Sequence, residues 1–402
     1  MSTVFVLNSG SSSLKYQLVD PDTAAVLAVG LVERIGQKSA RIKHEVGDQE
    51  FEVTTDIPNH AVALEKVLDM FKQHGPALED AGIVAVGHRV VHGGTKYSAP
   101  IVIDNTALEG IKELIPLAPL HNPANVTGIE AAQRLFDVPQ VAVFDTAFFN
   151  TLPPEAYTYA IDRDVADQYQ IRRYGFHGTS HQFVSAKVAD ILKRPDLKQV
   201  VLHLGNGASA SAVVNGKAVD TSMGLTPLEG LVMGTRSGDI DPAIVFHLHR
   251  VAGKSVDELD NLLNKQSGMA GLTGGKTDFR DIHAAIEAGN QNAKEGLAVY
   301  LHRLAKYVGS YAAVMDGIDV LTFTAGVGEN DAAVRQDLVD RLGFLGLHVD
   351  PAKNAVRSKE PRIISPDADI AKFEKGEGPI VMVVPTNEEL AIAQQSVAAL
   401  AK

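Results

Sequence analysis

The 402-residue chain contains no cysteine and no tryptophan. Without cysteine it has no disulfide, no thiolate nucleophile and no cysteine-ligated zinc site. No apolar run approaches the ~18–20 residues that a membrane span requires. Near the N-terminus, the run Val4–Leu7 is too short for a signal peptide and follows no basic segment. We therefore expect a cytoplasmic protein with no membrane partner.

Positive charge is also scarce. The chain has 37 Lys and Arg against 49 Asp and Glu, a formal net charge of −12 at pH 7. A chain this acidic is a poor binder of nucleic acid, so its basic residues are expected to matter singly, inside a site. The length exceeds what one hydrophobic core usually holds, and 45% of the residues are apolar. Two domains are therefore expected.

Short apolar runs alternate along the chain with segments of helical spacing. Val4–Val19 predicts two strands around a tight turn, and Ala61–His74 predicts a helix. The pattern breaks around Asn150–Pro154, which suggests a domain boundary. Thr386 and Glu389 have capping-box spacing before a final helix. This alternation predicts an α/β chain with mixed sheets, because several early connections are hairpins.

One strand–turn–strand pattern occurs twice. Val200–Ser211 reads VVLHLGNGASAS, and Val4–Leu14 reads VFVLNSGSSSL. Glycines in such a turn let backbone N–H groups converge on a phosphate. Two related halves that each offer a turn to one phosphorylated ligand would explain the similarity, although two ordinary hairpins would also produce it.

A third glycine turn, Gly326–Asn330, follows an apolar strand and precedes a helix. Ligands of open α/β sheets bind where such strands end, so this turn is a candidate for the phosphate or ribose of a nucleotide. An ordinary strand–helix connection is the alternative.

Ala270–Thr277, AGLTGGKT, resembles a relaxed P-loop. A true P-loop follows directly on a buried strand, whereas Leu259–Ser267 is amphipathic and has helical spacing. We therefore predict no P-loop here. The next three residues, Asp278–Arg280, are candidates to line a nucleotide pocket.

Two arginines have unusual neighbours. Arg89 ends an apolar strand, and Arg236 lies in a glycine-flanked loop. A guanidinium presents a planar fork that fits carboxylate or phosphate oxygens, so the two could form an anion clamp. An ion pair of Arg236 with Asp239 or Asp241 is the structural alternative.

Two carboxylates occupy positions typical of Mg²⁺-related residues. Asp145 ends a strand, and Glu388 lies at a strand–helix junction. Mg²⁺ favours one or two carboxylates together with water and phosphate oxygens. A helix cap or a surface position is the alternative for each.

The histidines at positions 88 and 92, and at 177 and 181, have i,i+4 spacing. Neither pair carries the Glu of an HExxH motif, and a glycine interrupts the second pair, so a zinc site is not favoured. His177 is a candidate donor to a developing negative charge. His203 is either a phosphate contact or a core histidine.

Seven motifs together resemble the acetate kinase family, in the family's order and over essentially the whole chain. They are Asn8–Lys15, His88–Gly94, Arg173–His181, His203–Gly207, Gly234–Asp239, Gly326–Asn330 and Thr386–Glu389.

The resemblance implies a two-domain α/β fold: a duplicated ribonuclease-H-like (actin-like ATPase) core with mixed sheets, an interdomain active-site cleft and a homodimer. The first domain would comprise residues 1–149 and 389–402. The second, 150–388, would carry most of the nucleotide site and the dimer interface.

The implied reaction is reversible, in-line transfer of the ATP γ-phosphoryl group to acetate, giving acetyl phosphate and ADP. It would need Mg²⁺, with Mn²⁺ as a substitute. By resemblance, the catalytic residues are Asp145, His177, Arg236 and Arg89. The acetate site comprises Arg89, Val91, Leu120, Phe176 and Pro227. ATP is held by Lys15, His203, Leu204, Gly205, Asn206, Gly207, Asp278, Phe279, Arg280, Gly326, Val327, Gly328, Glu329 and Asn330. The metal is held by Asn8 and Glu388.

Two other functions fit part of this pattern. A propionate or butyrate kinase would differ only in its acyl pocket, where one methylene is worth ~1–3 kcal/mol. A non-catalytic ATP-binding switch would keep the phosphate turns but would not need both Arg89 and Arg236.

Overall fold

The computed structural model describes residues 2–10 and 12–401. Ser11, part of the predicted N-terminal turn, lies outside the described residues, as do the two terminal residues of the expected first domain. Within the described ranges, no helix is long and apolar enough to cross a membrane.

The strands, in chain order, are β1 (Thr3–Ser9), β2 (Ser13–Val19), β3 (Val26–Glu33), β4 (Ala40–Val46), β5 (Gln49–Thr55), β6 (Ile83–Val90), β7 (Ile101–Val102), β8 (Gln140–Phe144), β9 (Lys198–Leu204), β10 (Ala208–Val214), β11 (Lys217–Thr221), β12 (Val320–Thr324), β13 (Arg362–Ile363) and β14 (Ile380–Val383).

The helices are α1 (His60–His74), α2 (Asn105–Glu113), α3 (Asn122–Leu135), α4 (Pro154–Tyr157), α5 (Arg163–Gln168), α6 (Gly178–Leu192), α7 (Ala243–Ala252), α8 (Val256–Lys265), α9 (Gly268–Thr273), α10 (Phe279–Glu287), α11 (Gln291–Val314), α12 (Ala325–Asn330), α13 (Ala332–Asp340), α14 (Pro351–Ala355), α15 (Asp367–Phe373) and α16 (Glu388–Leu400).

The chain forms two compact units. Unit 1 comprises the chain up to Asn150 and again from Asn387, and unit 2 comprises Thr151–Thr386. The expected domain boundaries lie within two residues of these divisions.

Unit 1 contains one sheet with the strand order β5-β4-β3-β2-β1-β6-β8-β7. β1, β2 and β3 are antiparallel neighbours, whereas β1, β6 and β8 run parallel. The carboxyl ends of three parallel strands therefore lie along one edge of this sheet.

Unit 2 repeats that topology. Its strand order is β11-β10-β9-β12-β14-β13. β9, β10 and β11 are antiparallel neighbours, and β9, β12 and β14 run parallel. In both units a three-stranded meander is followed by two parallel strands. This correspondence confirms the predicted duplicated, ribonuclease-H-like fold with mixed sheets. It also places the two similar turns at equivalent positions, between β1 and β2 and between β9 and β10.

The C-terminal helix belongs to the core of unit 1. α16 packs against β1, β6 and β8. Its approach to β6 needs Gly87, because a Cβ there would lie 2.6 Å from Ser396 Oγ and 2.9 Å from Ile392 Cγ2. This close packing fixes the first turn of α16, which begins with Glu388, at the carboxyl edge of the sheet.

In unit 2, α6 packs against β9. Val184 and Val188 of α6 join Val201 of β9 and Val320 of β12 in a buried cluster. The i,i+4 spacing of the two valines puts both on the sheet-facing side of the helix. The N-terminus of α6, after His177, is positioned by this packing.

Local structure corrects two details of the sequence interpretation. Residues 326–330 form no open turn but belong to α12, which begins directly after β12. The final helix is capped by Asn387, whose side chain accepts from Leu390 N, and not by Thr386. The Thr386 hydroxyl instead pairs with Ser180 Oγ at 2.8 Å.

The prediction that Ala270–Thr277 is not a P-loop is confirmed. Residues 268–273 form α9, and the element before it is the helix α8, not a strand. α8 begins with a complete capping box between Ser255 and Glu258.

Candidate active site

In unit 1, three predicted site residues meet at the carboxyl edge of the sheet. Arg89 donates from Nε to Asp145 Oδ1 at 3.0 Å and from Nη2 to Asp145 Oδ2. Its remaining terminal nitrogen, Nη1, donates to Asn8 Oδ1 at 3.2 Å. β1, β6 and β8 run parallel and in register, so the residues near their ends converge. The fork of Arg89 thus links all three strands.

Burial and charge act against each other in this cluster. Asp145 is 1% exposed, and burial raises its pKa while Arg89 acts to lower it. For Arg89, burial disfavours the charge, but Asp145 and Glu388 outweigh it and raise the pKa of the guanidinium. Arg89 is therefore held as a cation by carboxylates on two elements.

Glu388 and Glu389 extend the cluster from the first turn of α16. Burial raises the pKa of Glu388, opposed by Arg89 and reinforced by Glu389. Glu389 forms an ion pair with Lys15 of β2. Acidic residues in a first helical turn also interact favourably with the helix dipole.

Two asparagines of α3, missed in the sequence interpretation, hold the segment after β6. Asn125 accepts from Val91 N at 3.1 Å and donates to Ser9 O at 2.8 Å. Asn122 accepts from His92 N and donates to His92 O, both at 3.1 Å. Their i,i+3 spacing at a helix start is the only pattern that could have suggested them.

In unit 2, the turn Gly205–Gly207 packs closely against the loop that carries Arg236. Gly234 N donates to Asn206 O at 2.8 Å. A Cβ on Gly234 would lie 1.9 Å from Asn206 Oδ1 and 3.2 Å from Asn206 O, so any larger residue there would displace the Asn206 side chain. Within the turn, Gly205 N donates to Gly207 O at 3.1 Å. That amide is therefore committed to the turn, which limits the predicted convergence of N–H groups.

His177 lies beside the same turn. Its backbone is left-handed, with φ 60°, immediately before α6. This conformation is uncommon for a residue with a Cβ, and such strain often marks a functional position. The ring Nδ1 lies 2.9 Å from Ser209 Oγ, and the ring stacks on His203 with centroids 4.3 Å apart.

Arg236 points back across its own loop. Its Nη1 donates to Pro227 O at 2.8 Å and contacts Met233 Sδ at 3.6 Å. The anticipated partner Asp239 is instead bonded to Tyr307 and paired with Arg303 of α11. These contacts tie the end of the Arg236 loop to the longest helix of unit 2.

The beginning of that loop is held through Glu229, which contacts Arg173 and Tyr159 in an arrangement that we call the Glu229 clamp. Arg173 donates from Nη2 to Glu229 Oε1 at 2.7 Å, and the Tyr159 hydroxyl also donates to Glu229. Burial raises the pKa of Tyr159. Glu229 follows Pro227 by two residues, so this clamp fixes the carbonyl that holds Arg236.

A cavity in unit 2 has a volume of about 910 Å³. Nine of its lining residues were among the predicted nucleotide-binding residues: Gly205, Asn206, Asp278, Phe279, Arg280, Gly326, Val327, Glu329 and Asn330. A ribonucleoside is small enough to fit this volume.

Five other predicted nucleotide-binding residues are not among the residues that line this cavity: Lys15, His203, Leu204, Gly207 and Gly328. His203 and Leu204 are buried at the end of β9, and the Gly328 carbonyl accepts from Arg335. Lys15 belongs to unit 1.

Several cavity residues were not anticipated. His283 Nε2 donates to Asp331 Oδ2 at 2.8 Å, and the buried Tyr300 hydroxyl has no hydrogen-bond partner among the described residues. Arg335, also in the wall, is fully buried and donates to the Gly328 and Glu329 carbonyls. These residues come from α10, α11 and α13, and no local motif marks them.

Asp278 and Arg280 mainly contact each other. The Arg280 guanidinium and its backbone N–H lower the pKa of Asp278 to about 2. Asp278 also caps α10. The guanidinium of Arg280 is 90% exposed and so projects from the rim of the cavity.

The predicted acetate-pocket residues divide between the units. Val91 and Phe176 are buried, whereas Leu120 is 53% exposed. Pro227 is half-buried. Leu120 precedes α3, the helix that holds Val91.

The other histidines have structural partners. His88 lies in β6 and bonds to Gln140 at 2.8 Å, and burial lowers its pKa to about 4. His181 is fully buried between Ser209 and Ser211. Among the residues that the structure describes, no group of three or more His, Asp or Glu is arranged to hold a metal ion.

Comparison with known proteins gives a consistent result. A model of the acetokinase family matches residues 3–394. The acetate kinase of Leifsonia xyli subsp. xyli (strain CTCB07) is 54% identical over 404 residues, covering 100% of both chains.

Solved structures agree. An acetate kinase from Porphyromonas gingivalis has 42% identity and a TM-score of 0.92, with 100% of both chains covered. A propionate kinase from Francisella tularensis subsp. tularensis SCHU S4 has 43% identity and a TM-score of 0.91, with 98% of this chain and 99% of that chain covered.

Proposed function

The chain belongs to the acetokinase family, and from that premise we propose that it transfers the γ-phosphoryl group of ATP to acetate. The products are acetyl phosphate and ADP. An acetate oxygen attacks the γ-phosphorus as the bond to the β,γ-bridging oxygen breaks, and ADP leaves with that oxygen. The same groups serve the reverse reaction.

The chemistry sets what the protein must supply. Acetate is already a deprotonated nucleophile, so a strong general base is not needed. The barrier lies in bringing one anion to another, and fixed cations with in-line placement lower it. The required charge and hydrogen-bonding capacity are present in Arg89, Arg236, His177 and Lys15.

In unit 1, we assign Arg89 to the acetate carboxylate and Val91 to the methyl group, with Leu120 beside it. Both oxygens of Asp145 accept from Arg89. That geometry supports a positioning role for Asp145, with its remaining lone pairs available to water, over a role as proton donor or acceptor.

In unit 2, we assign Arg236 and His177 to the phosphoryl group in transfer. Phe176 and Pro227 are assigned to the acyl group on the family resemblance. The 910 Å³ cavity is assigned to the nucleoside. The His203–Gly207 segment and Lys15 are assigned to the phosphates of ATP.

Asn8 and Glu388 fit a magnesium ion by their chemistry. They bring an amide oxygen and a carboxylate to one sheet edge, next to Asp145, and Mg²⁺ prefers such hard oxygen donors while retaining several waters. When bound, the ion would neutralise and orient phosphate oxygens; Mn²⁺ would be expected to substitute. Asn8 is held by Arg89, which presents its amide oxygen in a defined direction.

The observation that carries the assignment is 54% identity over the full length to an acetate kinase, together with the site motifs in order. The test is ATP-dependent hydroxamate formation from acetate and hydroxylamine in the presence of Mg²⁺. We expect turnover that depends on both acetate and ATP. Acetate-independent ATP hydrolysis, or ATP binding without turnover, would favour a switch instead.

Propionate is a second candidate substrate, because a propionate kinase shares 43% identity and the fold at a TM-score of 0.91. One methylene alters binding by only ~1–3 kcal/mol, so overlap between the two activities is expected. Comparing kcat/KM for acetate, propionate and butyrate decides between them.

We also propose a homodimer that forms through unit 2. None of the residues of α7 is buried, although the helix is apolar; Phe246 is 57% exposed and Val251 is 72% exposed. Light scattering after size exclusion should give twice the 42.9 kDa chain mass. Phe246→Asp should shift it toward the monomer, whereas a monomeric wild type would refute the proposal. A cytoplasmic location stays a prediction.

A further inference from the structure

Three hydrogen bonds connect Ser211 to His177 in series. Ser211 Oγ lies 2.7 Å from His181 Nδ1, and His181 Nε2 lies 2.7 Å from Ser209 Oγ. Ser209 Oγ then lies 2.9 Å from His177 Nδ1. The i,i+2 spacing on β10 puts both serines on one face of the strand, opposite the first turn of α6. His181 and both serines are 0% exposed.

Counting protons leaves three arrangements. Burial, with a further contribution from His203, lowers the pKa of His181 well below its usual value, so His181 is neutral and has one N–H. If the His181 proton is on Nε2, Ser209 accepts it and either gives its own proton to His177 Nδ1 or accepts a second hydrogen bond from His177. If the His181 proton is on Nδ1, Ser209 donates to His181 and can only accept from His177.

The first arrangement leaves His177 neutral, with its proton on Nε2. The other two arrangements require a proton on His177 Nδ1, so Nε2 is either unprotonated or part of an imidazolium. A bare nitrogen would repel a phosphate oxygen. An imidazolium is disfavoured by the positive end of the α6 dipole, because His177 directly precedes that helix.

Arg236 adds to this effect. A Cβ on Gly207 would lie 3.4 Å from Arg236 Nη2 and 3.5 Å from His177 Nε2, so the two nitrogens border the same point. A second positive charge there is unfavourable, whereas a neutral Nε2–H donor beside a guanidinium suits an anion.

We propose that Ser209 and His181 are positioning residues that hold His177 as the neutral tautomer protonated on Nε2, so that this N–H donates to the transferred phosphoryl group. The role of this N–H in phosphoryl transfer rests on the proposed function, but the assignment of the His177 tautomer does not. Ser211 completes the series by donating to His181 Nδ1.

The tautomer can be read directly by nitrogen-15 NMR of the full-length protein labelled at histidine, with His177 assigned from the spectrum of His177→Asn. In the wild type we expect an unprotonated Nδ1 and a protonated Nε2. Ser209→Ala should mix the two tautomers of His177, and Ser209→Thr, which keeps the hydroxyl, should restore one. Ser310→Ala, on the exposed side of α11, serves as the matched control and should change nothing.

Kinetics supply a second measurement. Ser209→Ala should lower kcat about ten- to hundredfold while the KM values stay within about twofold. The reason is that His177 loses its preference for the tautomer protonated on Nε2, and this N–H acts in the transition state. If Ser209→Ala does not fold, Ser211→Ala tests the same series from its far end, where the tautomers of His181 and His177 should both mix.

A wild-type His177 that carries its proton on Nδ1, or on both nitrogens, would overturn the proposal. So would an unchanged His177 spectrum in both serine-to-alanine variants. The NMR measurement needs no turnover. A protein that shows the expected tautomer but no acetate-dependent activity would therefore refute the proposed function and leave this inference standing.

Discussion

Arg89 and Arg236 are the same residue type, but the contacts that the structure describes for them differ. Arg89 is held by both oxygens of the buried Asp145 and by Asn8, with Glu388 close by. The contacts of Arg236 include two neutral groups, the carbonyl of Pro227 and the sulfur of Met233.

Three carboxylates, of Asp145, Glu388 and Glu389, stabilise the positive charge of Arg89. The two described contacts of Arg236 are instead with a carbonyl and a thioether, and its planar fork suits the phosphoryl group that we propose for it. Each prediction below tests one side of this contrast.

The largest effect is expected at Arg236. Arg236→Ala should lower kcat by ~10³, because it removes a fixed cation from the transferring group. The melting temperature should hardly change, because the side chain contributes little to the core. Arg236→Lys keeps the charge without the fork and should recover only part of the rate. Near-wild-type turnover of the alanine variant in the hydroxamate assay would contradict the assignment.

Asp145→Asn should affect both activity and stability. It should lower kcat by about a hundredfold through a misplaced Arg89 and destabilise the fold by about 2–3 kcal/mol, since removing one partner of a buried pair leaves the other uncompensated. The expected loss of stability is smaller than for a fully buried pair because the Arg89 side chain is 20% exposed.

Urea unfolding of Asp145→Asn, Arg89→Met and the double variant measures that coupling. The double variant should lose less stability than the two single losses together. Strict additivity would show that the pair does not act as a unit.

Glu388→Gln should stabilise the metal-free protein and abolish most activity. Burial raises the pKa of Glu388 in the folded state, so its charge costs stability above that pKa, and the cost disappears as the pH falls through it. The variant should therefore melt a few degrees higher at pH 8, and the gap should close as the pH approaches the ordinary value of 4.5. Scanning calorimetry without Mg²⁺ measures both melting temperatures. A difference between variant and wild type that widened as the pH fell would contradict the prediction.

The smallest effect is expected in the acyl pocket. Val91→Ala removes two methyl groups and should raise kcat/KM for propionate relative to acetate by about tenfold. The buried main chain at this position is held by Asn125 and should not move. Leu120→Ala, at an exposed position, is the matched comparison and should change the ratio less.

The duplicated topology was implied by the family resemblance, since two ordinary hairpins would also produce the repeated strand–turn–strand pattern. The sequence alone sufficed for the alternation of strands and helices. This alternation depends on local patterns of period two and 3.6 and on glycine turns, which can be recognised within short windows. Local patterns misplaced the cap of α16 and predicted a turn at the start of α12. Both features depend on which of several adjacent polar groups forms the hydrogen bond at the helix start.

Only the tertiary structure decided how the site residues are held. Arg89 meets Asp145 and Asn8 because three parallel strands end together, and Asn125 reaches Val91 from a helix 34 positions further on. His283, Tyr300 and Arg335 line the cavity without any motif. The protonation state proposed for His177 depends on two serines of a neighbouring strand. The sequence determined which chemical groups the chain possesses; their charge, tautomer and partners are set by long-range packing, which no short pattern encodes.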